Sequence, residues 1–110
     1  MTDPLVTEAQ AAKALAYLGK TDESCAQALA FMKATEKNEK VIIAMGFDAE
    51  EGSAEARKQA ALNTQSYKVW IVDYETAIVD YHLLRNKRER AVLTCELWRS
   101  VNANRARGNV

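Results

Sequence analysis

The stretch YKVWIVDYETAIVDYHLLRNKRERAVLTCELWRSV, residues 67–101, decides the fold of this chain of 110 residues. It contains neither glycine nor proline, the two residues that most often end or kink a helix. The same holds for the wider segment 66–105. We therefore predict one continuous helix over residues 66–105, which would be about 60 Å long at the usual rise per residue.

Apolar residues recur along one side of this long helix at heptad spacing. Two alternating positions of the repeat form a seam, which is typical of a helix that packs lengthwise against another helix in the manner of a coiled coil. Tyr67, Tyr74 and Tyr81 take one seam position, and Trp70, Ala77, Leu84, Ala91 and Trp98 take the other.

A second apolar stripe lies on the far side of the same helix: Val72, Val79, Leu83, Leu93, Leu97 and Val101. A helix that is apolar on two sides has to be covered from two directions. Because the rest of the chain is too short to cover both sides, we predict a homo-oligomer. Its interface is expected to use Tyr67, Trp70, Tyr74, Ile78, Tyr81, Leu93, Leu97, Trp98 and Val101.

The first half of the chain shows signals for two helices. Asp3, followed by proline, predicts the start of a helix over residues 4–18, because Asp is a good N-cap and Pro fits the first helical position. Gly19 is a natural helix end. Thr21 then predicts the cap of a second helix over residues 22–45.

The loop over residues 48–53 precedes a short helix over residues 54–62, for which Ser53 is the expected cap. Together with the long helix, these elements predict an all-α fold in a single domain, residues 1–110. The expected architecture is a helical hairpin or small bundle that the long C-terminal helix dominates.

The net charge of zero conceals a gradient along the chain. Residues 1–52 hold five basic and nine acidic residues, residues 53–84 hold three and four, and residues 85–110 hold seven and two. Such an asymmetry is typical of proteins that bind nucleic acid or an acidic partner. Head-to-tail pairing of neighbouring copies is an equally good explanation at this point.

The basic residues of the last segment are distributed around the helix rather than along one face. One interpretation is that they are solvated cations near a helix C-terminus, where the helix dipole favours positive charge. The other is a surface for nucleic acid or a partner protein. That surface would consist of Arg85, Lys87, Arg88, Arg90, Arg99, Asn102, Asn104, Arg105 and Arg107.

Residues that could carry catalysis or bind metal are few and far apart. His82 is the only histidine, and Cys25 and Cys95 show no metal-ligand spacing, so we expect the cysteines to be small buried apolar residues. Asp73 and Asp80 share a helix face without the Glu-x-x-His elements of a carboxylate metal site. We therefore expect a protein that is not an enzyme and that has no cofactor and no metal.

The beginning of the chain, MTDPLVTEAQ, lacks the basic and apolar regions of a signal peptide. The longest apolar run, VIIAMGF at residues 41–47, is too short to span a bilayer. The sequence therefore predicts a cytoplasmic protein with no membrane partner.

Three segments resemble a group of small helical phage and prophage proteins: ALAYLGKTDE (14–23), EGSAEARKQA (51–60) and LRNKRERAVLTCELWRSVNANR (84–105). The ending WRSVNANR is the most distinctive part. Proteins of this group are associated with recombination and replication modules that encode single-strand annealing proteins. The resemblance implies an accessory role beside DNA-processing proteins in the host cytoplasm.

Two functions follow from these observations. The first is a non-enzymatic, oligomeric accessory binding protein of phage DNA recombination or replication, which contacts single-stranded DNA or a DNA-processing partner through its basic C-terminal end. The alternative is a host-directed inhibitor or protein adaptor, of the anti-defence type, that binds a host protein.

Overall fold

The computed structural model describes residues 5–108 of the chain. Within this range the protein is all-α, with three helices and no strand: α1 Glu8–Asp48, α2 Ala54–Leu62 and α3 Gln65–Gly108. The all-α class and the uninterrupted long C-terminal helix that the sequence predicts are confirmed.

Helix α1 is a single helix of 41 residues, so the prediction of two helices separated at Gly19 is wrong. An interior glycine costs a helix only about 1 kcal/mol relative to alanine, and the helical residues on both sides of Gly19 outweigh this penalty. Thr21 does not act as an N-cap. Its hydroxyl donates a hydrogen bond to the carbonyl of Tyr17 at 2.7 Å, as threonines inside helices often do.

The start of α1 is set by a reciprocal pair of hydrogen bonds. The backbone N–H of Thr7 donates to Oε1 of Gln10 at 2.9 Å, and the backbone N–H of Gln10 donates to Oγ1 of Thr7 at 3.1 Å. This is a capping box, which satisfies two N–H groups that the first turn leaves without a helical partner. The predicted cap at Asp3 lies outside the described residues, and the helix begins at Glu8 rather than at residue 4.

Helix α2 occupies the range read from the sequence, and its cap is Ser53, whose Oγ accepts from the backbone N–H of Ala56 at 3.1 Å. The side chain of Arg57 fastens α2 to the end of α1. Its guanidinium lies 4.0 Å from the centre of the Phe47 ring, and its Nε donates to the Phe47 carbonyl at 3.1 Å. A cation at a helix C-terminus is favoured by the dipole and supplies a donor for an unpaired carbonyl.

Two compact units make up the chain. The terminal unit is Met1–Cys25 with Leu83–Val110, of which residues 5–25 and 83–108 are described, and the central unit is Ala26–His82. Each unit contains one stretch of α1 and one stretch of α3. The prediction of a single domain stays a prediction.

In the central unit, the predicted seam of α3 is buried against α1. The indole N–H of Trp70 donates to the carbonyl of Thr35 at 2.7 Å, and both residues are 8% exposed. Tyr67 and Tyr74 stack on the two sides of this position, with ring centres 5.5 Å and 5.1 Å from that of Trp70. Ala77 continues the buried seam. The heptad pattern therefore describes packing inside the chain.

The terminal unit has a core of small side chains. Ala11 and Ala91 are each 8% exposed, and Val6 is equally buried. The thiol of Cys95 lies 3.8 Å from the carbonyl of Ala11, within reach of a weak S–H···O hydrogen bond. Cys25 and Cys95 are free thiols and half-buried.

Gly46 marks the closest approach of α1 and α2. A methyl group at this position would lie 2.9 Å from Cα and 3.0 Å from Cβ of Ala61, which is fully buried. We expect Gly46→Ala to lower the free energy of unfolding by about 1–3 kcal/mol, because the helices have to separate to admit the methyl group. Urea denaturation followed by circular dichroism measures this change.

The matched control is Gly19→Ala, because Gly19 also lies inside α1 but has open space around it. Here we expect the free energy of unfolding to rise by about 0.5–1 kcal/mol, the difference in helix propensity. Two substitutions that shift stability in the same direction would contradict the close packing at Gly46.

Candidate interaction surfaces

Several residues of the predicted oligomer interface pack against other residues of the same chain. Trp70 is buried against Thr35, and the hydroxyl of Tyr67 donates to Oε2 of Glu39 at 3.0 Å. Tyr74, Ile78 and Tyr81 are half-buried in the same unit. The sequence-based assignment of Trp70 to an interface with a second copy is therefore corrected. Its side chain is buried against α1 and is not free to contact another molecule.

Two tyrosines of this seam, Tyr67 and Tyr74, have a raised pKa. The hydrogen bond to Glu39 raises the pKa of Tyr67, since only the neutral phenol can donate it, and partial burial and the charge of Glu39 act in the same direction. Partial burial raises the pKa of Tyr74, and the charges of Glu36 and Glu39 add to this effect. The Tyr67 hydroxyl is therefore a structural donor to Glu39.

The far side of α3 is exposed, in contrast to the seam. It carries a row of exposed apolar side chains, which includes every residue of the second predicted stripe except Val101. Val101 is half-buried, and so is Trp98 of the predicted oligomer interface. We call the exposed residues of this face the outer stripe: Val69, Val72 and Val79 in the central unit, and Leu83, Leu93 and Leu97 in the terminal unit. Whether a second copy covers them stays a prediction.

Arg88 is not available to an outside partner. Its guanidinium donates to the carbonyl of Leu18 at 2.8 Å, to Oγ1 of Thr21 at 2.7 Å and to Oδ1 of Asp22 at 3.2 Å. The side chain is 20% exposed. It is therefore a clasp between α1 and α3 in the terminal unit, and the structure removes it from the predicted partner surface.

The heptad register contains the signal that identifies this clasp. Counted from Tyr81 and Leu84, the next seam positions are Arg88 and Ala91. A residue at a seam position faces the packed helix, and arginine there is tolerated only when its donors are satisfied. Composition alone groups Arg88 with the solvated cations, whereas the register separates it from them.

Arg85 is partly neutralised, because its Nε lies 3.1 Å from Oε1 of Glu89 in an exposed pair one helical turn apart. Pairs of this kind contribute little to stability. The remaining cations of the predicted surface are exposed, and none of them forms an ion pair within residues 5–108: Lys87, Arg90, Arg99, Arg105 and Arg107.

The last three turns of α3 concentrate the uncompensated charge. Residues 97–108 contain Arg99, Arg105 and Arg107 and no acidic residue, and Asn102 and Asn104 are exposed beside them. We call these five residues the basic end. Its side chains leave the helix in several directions, as the spacing in the sequence predicts. The positive charge therefore surrounds the helix axis and does not form a flat patch on one face.

Half-buried Trp98 lies at the base of the basic end, between two shallow grooves of the terminal unit. One groove is lined by Trp98 and Arg99 and the other by Trp98, Asn102 and Arg105, and Glu8 of α1 lines both grooves as well. An aromatic ring with cations on both sides combines a stacking surface with phosphate donors. The arrangement suits a flexible polyanion that carries planar bases.

The residues considered for catalysis or metal binding remain apart. His82, Asp73 and Asp80 are exposed, and Cys25 and Cys95 are half-buried. Among residues 5–108, no group of three His, Cys, Asp or Glu side chains is placed to hold a metal ion. In the same range, no helix has the length and apolar character needed to cross a bilayer.

Substitution of Arg88 tests whether it stabilises the fold, in contrast to the arginines that are exposed on the surface. We expect Arg88→Lys to lower the free energy of unfolding by about 1–2 kcal/mol, because one ammonium group cannot replace a fork whose Nη1 serves the Leu18 carbonyl and the Thr21 hydroxyl while its Nη2 serves Asp22. Urea denaturation measures the loss.

Arg85→Lys is the matched control, since Arg85 makes only the exposed pair with Glu89. Its effect on the free energy of unfolding is expected to stay within about 0.5 kcal/mol. A loss at position 88 no greater than that at position 85 would refute the clasp.

Comparison of the chain with protein-family models, with curated proteins and with solved structures gives no match.

Proposed function

We propose that the protein is an accessory binding protein of phage DNA metabolism that binds single-stranded DNA through the basic end of α3. The observation that carries this proposal is the placement of Arg99 and Arg105 in the grooves beside half-buried Trp98, with exposed Arg107 further along the helix and no acidic residue between positions 97 and 108. The protein acts by binding and not by catalysis.

Electrostatics favours a phosphate backbone as the ligand. The three arginines are exposed and have no ion-pair partner within residues 5–108, so they can approach phosphates without first breaking a salt bridge. Arginine also presents a planar fork of donors that matches phosphate oxygens. Binding that depends on these contacts weakens steeply with salt, because each contact releases condensed counterions.

Single-stranded DNA fits the basic end better than a duplex does. Cations that leave the helix in several directions can follow a flexible backbone, whereas a helix that reads a groove carries its basic residues on one side. Trp98, which lines grooves next to Arg99 and Arg105, supplies a surface on which an unpaired base can stack. A duplex keeps its bases stacked on each other and does not offer them.

The setting in phage recombination or replication is supported by the resemblance of residues 14–23, 51–60 and 84–105 to small helical phage proteins of such modules. The distinctive ending WRSVNANR contains Trp98, Arg99, Asn102 and Arg105, which are part of the site proposed for DNA. In this setting the protein would work in the host cytoplasm beside DNA-processing proteins. Its ligand would be the single strands that those proteins produce.

Fluorescence anisotropy with a labelled oligothymidylate of about 20 nucleotides tests the proposal. We expect the double variant Arg105→Gln/Arg107→Gln to bind about tenfold more weakly in 20 mM salt, and the slope of log K against log salt to flatten by about 1.4, since each lost phosphate contact contributes about 0.7 for a single strand.

The matched control is Lys33→Gln/Lys37→Gln, which removes the same charge from exposed positions of the central unit. It is expected to leave the affinity and the salt slope close to those of the wild type. Absence of binding to the oligonucleotide in 20 mM salt would refute the proposal. An equal loss in both double variants would refute the basic end as the site.

The outer stripe favours a second function, a host-directed inhibitor or adaptor that binds a host protein. Leu83, Leu93 and Leu97 are 55%, 61% and 40% exposed, and exposed leucines on one face are typical of protein-binding surfaces. Capture from a host lysate separates the two functions. One stoichiometric host protein that is retained by wild type and by Arg105→Gln/Arg107→Gln, but lost with Leu93→Asp, would support this alternative.

A further inference from the structure

The outer stripe of the terminal unit has a heptad register of its own. Beginning at Leu83, seam spacing leads through Asn86, Arg90, Leu93 and Leu97, in alternating steps of three and four residues. All five side chains are exposed. Helix α3 therefore carries two coiled-coil seams, of which α1 covers one, and the other has no cover within residues 5–108.

We infer that a second copy of the chain packs on this seam in antiparallel orientation, with Leu83 of each copy opposite Leu93 of the other, and Asn86 opposite Arg90. In an antiparallel pair of helices, the two alternating seam positions face each other. This register therefore places leucine on leucine and a polar side chain on a polar side chain. The amide oxygen of Asn86 can accept a hydrogen bond from the Arg90 guanidinium of the other copy.

Other antiparallel registers mix the two kinds of side chain. A shift by one heptad in one direction places Leu83 opposite Asn86, and a shift in the other direction places Leu93 opposite Arg90. Each shifted register holds a polar or charged group against leucine without a hydrogen-bond partner, which is costly when the contact excludes water. The order of residues along α3 thus selects one antiparallel alignment.

A parallel, in-register pair is disfavoured by charge. In that arrangement every seam residue meets its own copy, so Arg90 would lie against Arg90. Like charges held together at an interface repel and have no acceptor for their donors. The antiparallel register separates the two arginines and gives each of them an asparagine.

The same register continues for two further layers on each side when it is counted along α3, and it ends there because the next layers would place Asn104 opposite Val72 and Arg107 opposite Val69. Leu97 falls opposite Val79, and Ser100 falls opposite Thr76, so apolar and polar residues again meet their own kind. Val79 is 53% exposed, and Thr76 and Ser100 are exposed as well.

This inference does not rest on the proposed DNA binding. Arg99 and Arg105 lie outside the seam register, and Arg107 lies beyond the last seam residue, Ser100, so each surface can be altered while the other stays intact. Self-association is measured without nucleic acid, and DNA binding can be measured on a monomeric variant. Failure of one proposal is therefore distinguishable from failure of the other.

Sedimentation equilibrium between 1 and 100 µM tests the surface. We expect a wild-type dimer, and we expect Leu93→Asp to raise its dissociation constant by at least about 100-fold, since two carboxylates would be buried in leucine layers. Leu15→Asp is the matched control, because Leu15 is 67% exposed on α1 and lies outside the seam. A wild-type monomer throughout this range, or equal weakening by both variants, would overturn the inference.

Asn86→Asp tests the orientation by the sign of its effect. In the antiparallel register each new carboxylate faces Arg90 of the other copy, and we expect the dissociation constant of the dimer to fall about 3- to 10-fold. In a parallel pair the two carboxylates would face each other and weaken the dimer. An unchanged or higher dissociation constant would overturn the antiparallel register.

A spin label at position 100 of each copy reports the distance between the two labels of the dimer and so distinguishes an antiparallel from a parallel pair. Ser100→Cys is introduced together with Cys25→Ala and Cys95→Ala. The variant is used only if its helix content by circular dichroism and its oligomeric state by sedimentation match those of the wild type. The antiparallel register places the two labels about 36 Å apart along the helix axes. Labels within about 15 Å of each other would be the signature of a parallel pair and would refute the proposed arrangement.

Discussion

Two-helix packing constrains the whole protein, because a helix that meets one neighbour can bury only one of its sides. In each unit, a stretch of α1 covers the tyrosine–tryptophan seam of α3 and its continuation. The buried apolar side chains are Val6, Ala11, Ala61, Trp70, Ala77 and Ala91, mostly alanines. Such a core is thin, and it leaves a second apolar face of α3 without cover inside the described chain.

Polar contacts supply the specificity that a core of alanines lacks. Alanine layers pack almost equally well after a shift along the helix, whereas a hydrogen bond between named atoms does not survive one. The Trp70 indole on the Thr35 carbonyl fixes the alignment in the central unit, and the Arg88 clasp fixes it in the terminal unit. Because each contact would leave a buried donor unpaired in any other register, both select one arrangement of the helices.

Different parts of the surface of helix α3 have different roles. The seam holds the fold, the outer stripe is proposed for self-association, and the basic end is proposed for DNA. The arginines illustrate the division: Arg88 is used inside the terminal unit, Arg90 lies between the leucines of the outer stripe, and Arg105 belongs to the basic end.

The sequence by itself determined the elements whose signals are local. The absence of glycine and proline over residues 66–105 specifies α3, the spacing of Tyr67, Trp70 and Tyr74 specifies its seam, and Ser53 specifies the start of α2. Each of these depends on a few neighbouring residues and on the geometry of one helix, so no knowledge of distant contacts is needed.

Tertiary structure decided what those elements do to one another. Arg88 turns inward because Leu18 and Thr21 offer acceptors at the opposing position, and Trp70 is buried because α1 reaches it. Each outcome depends on which residues from distant parts of the chain meet, and helical periodicity gives the face of a residue but not its neighbour.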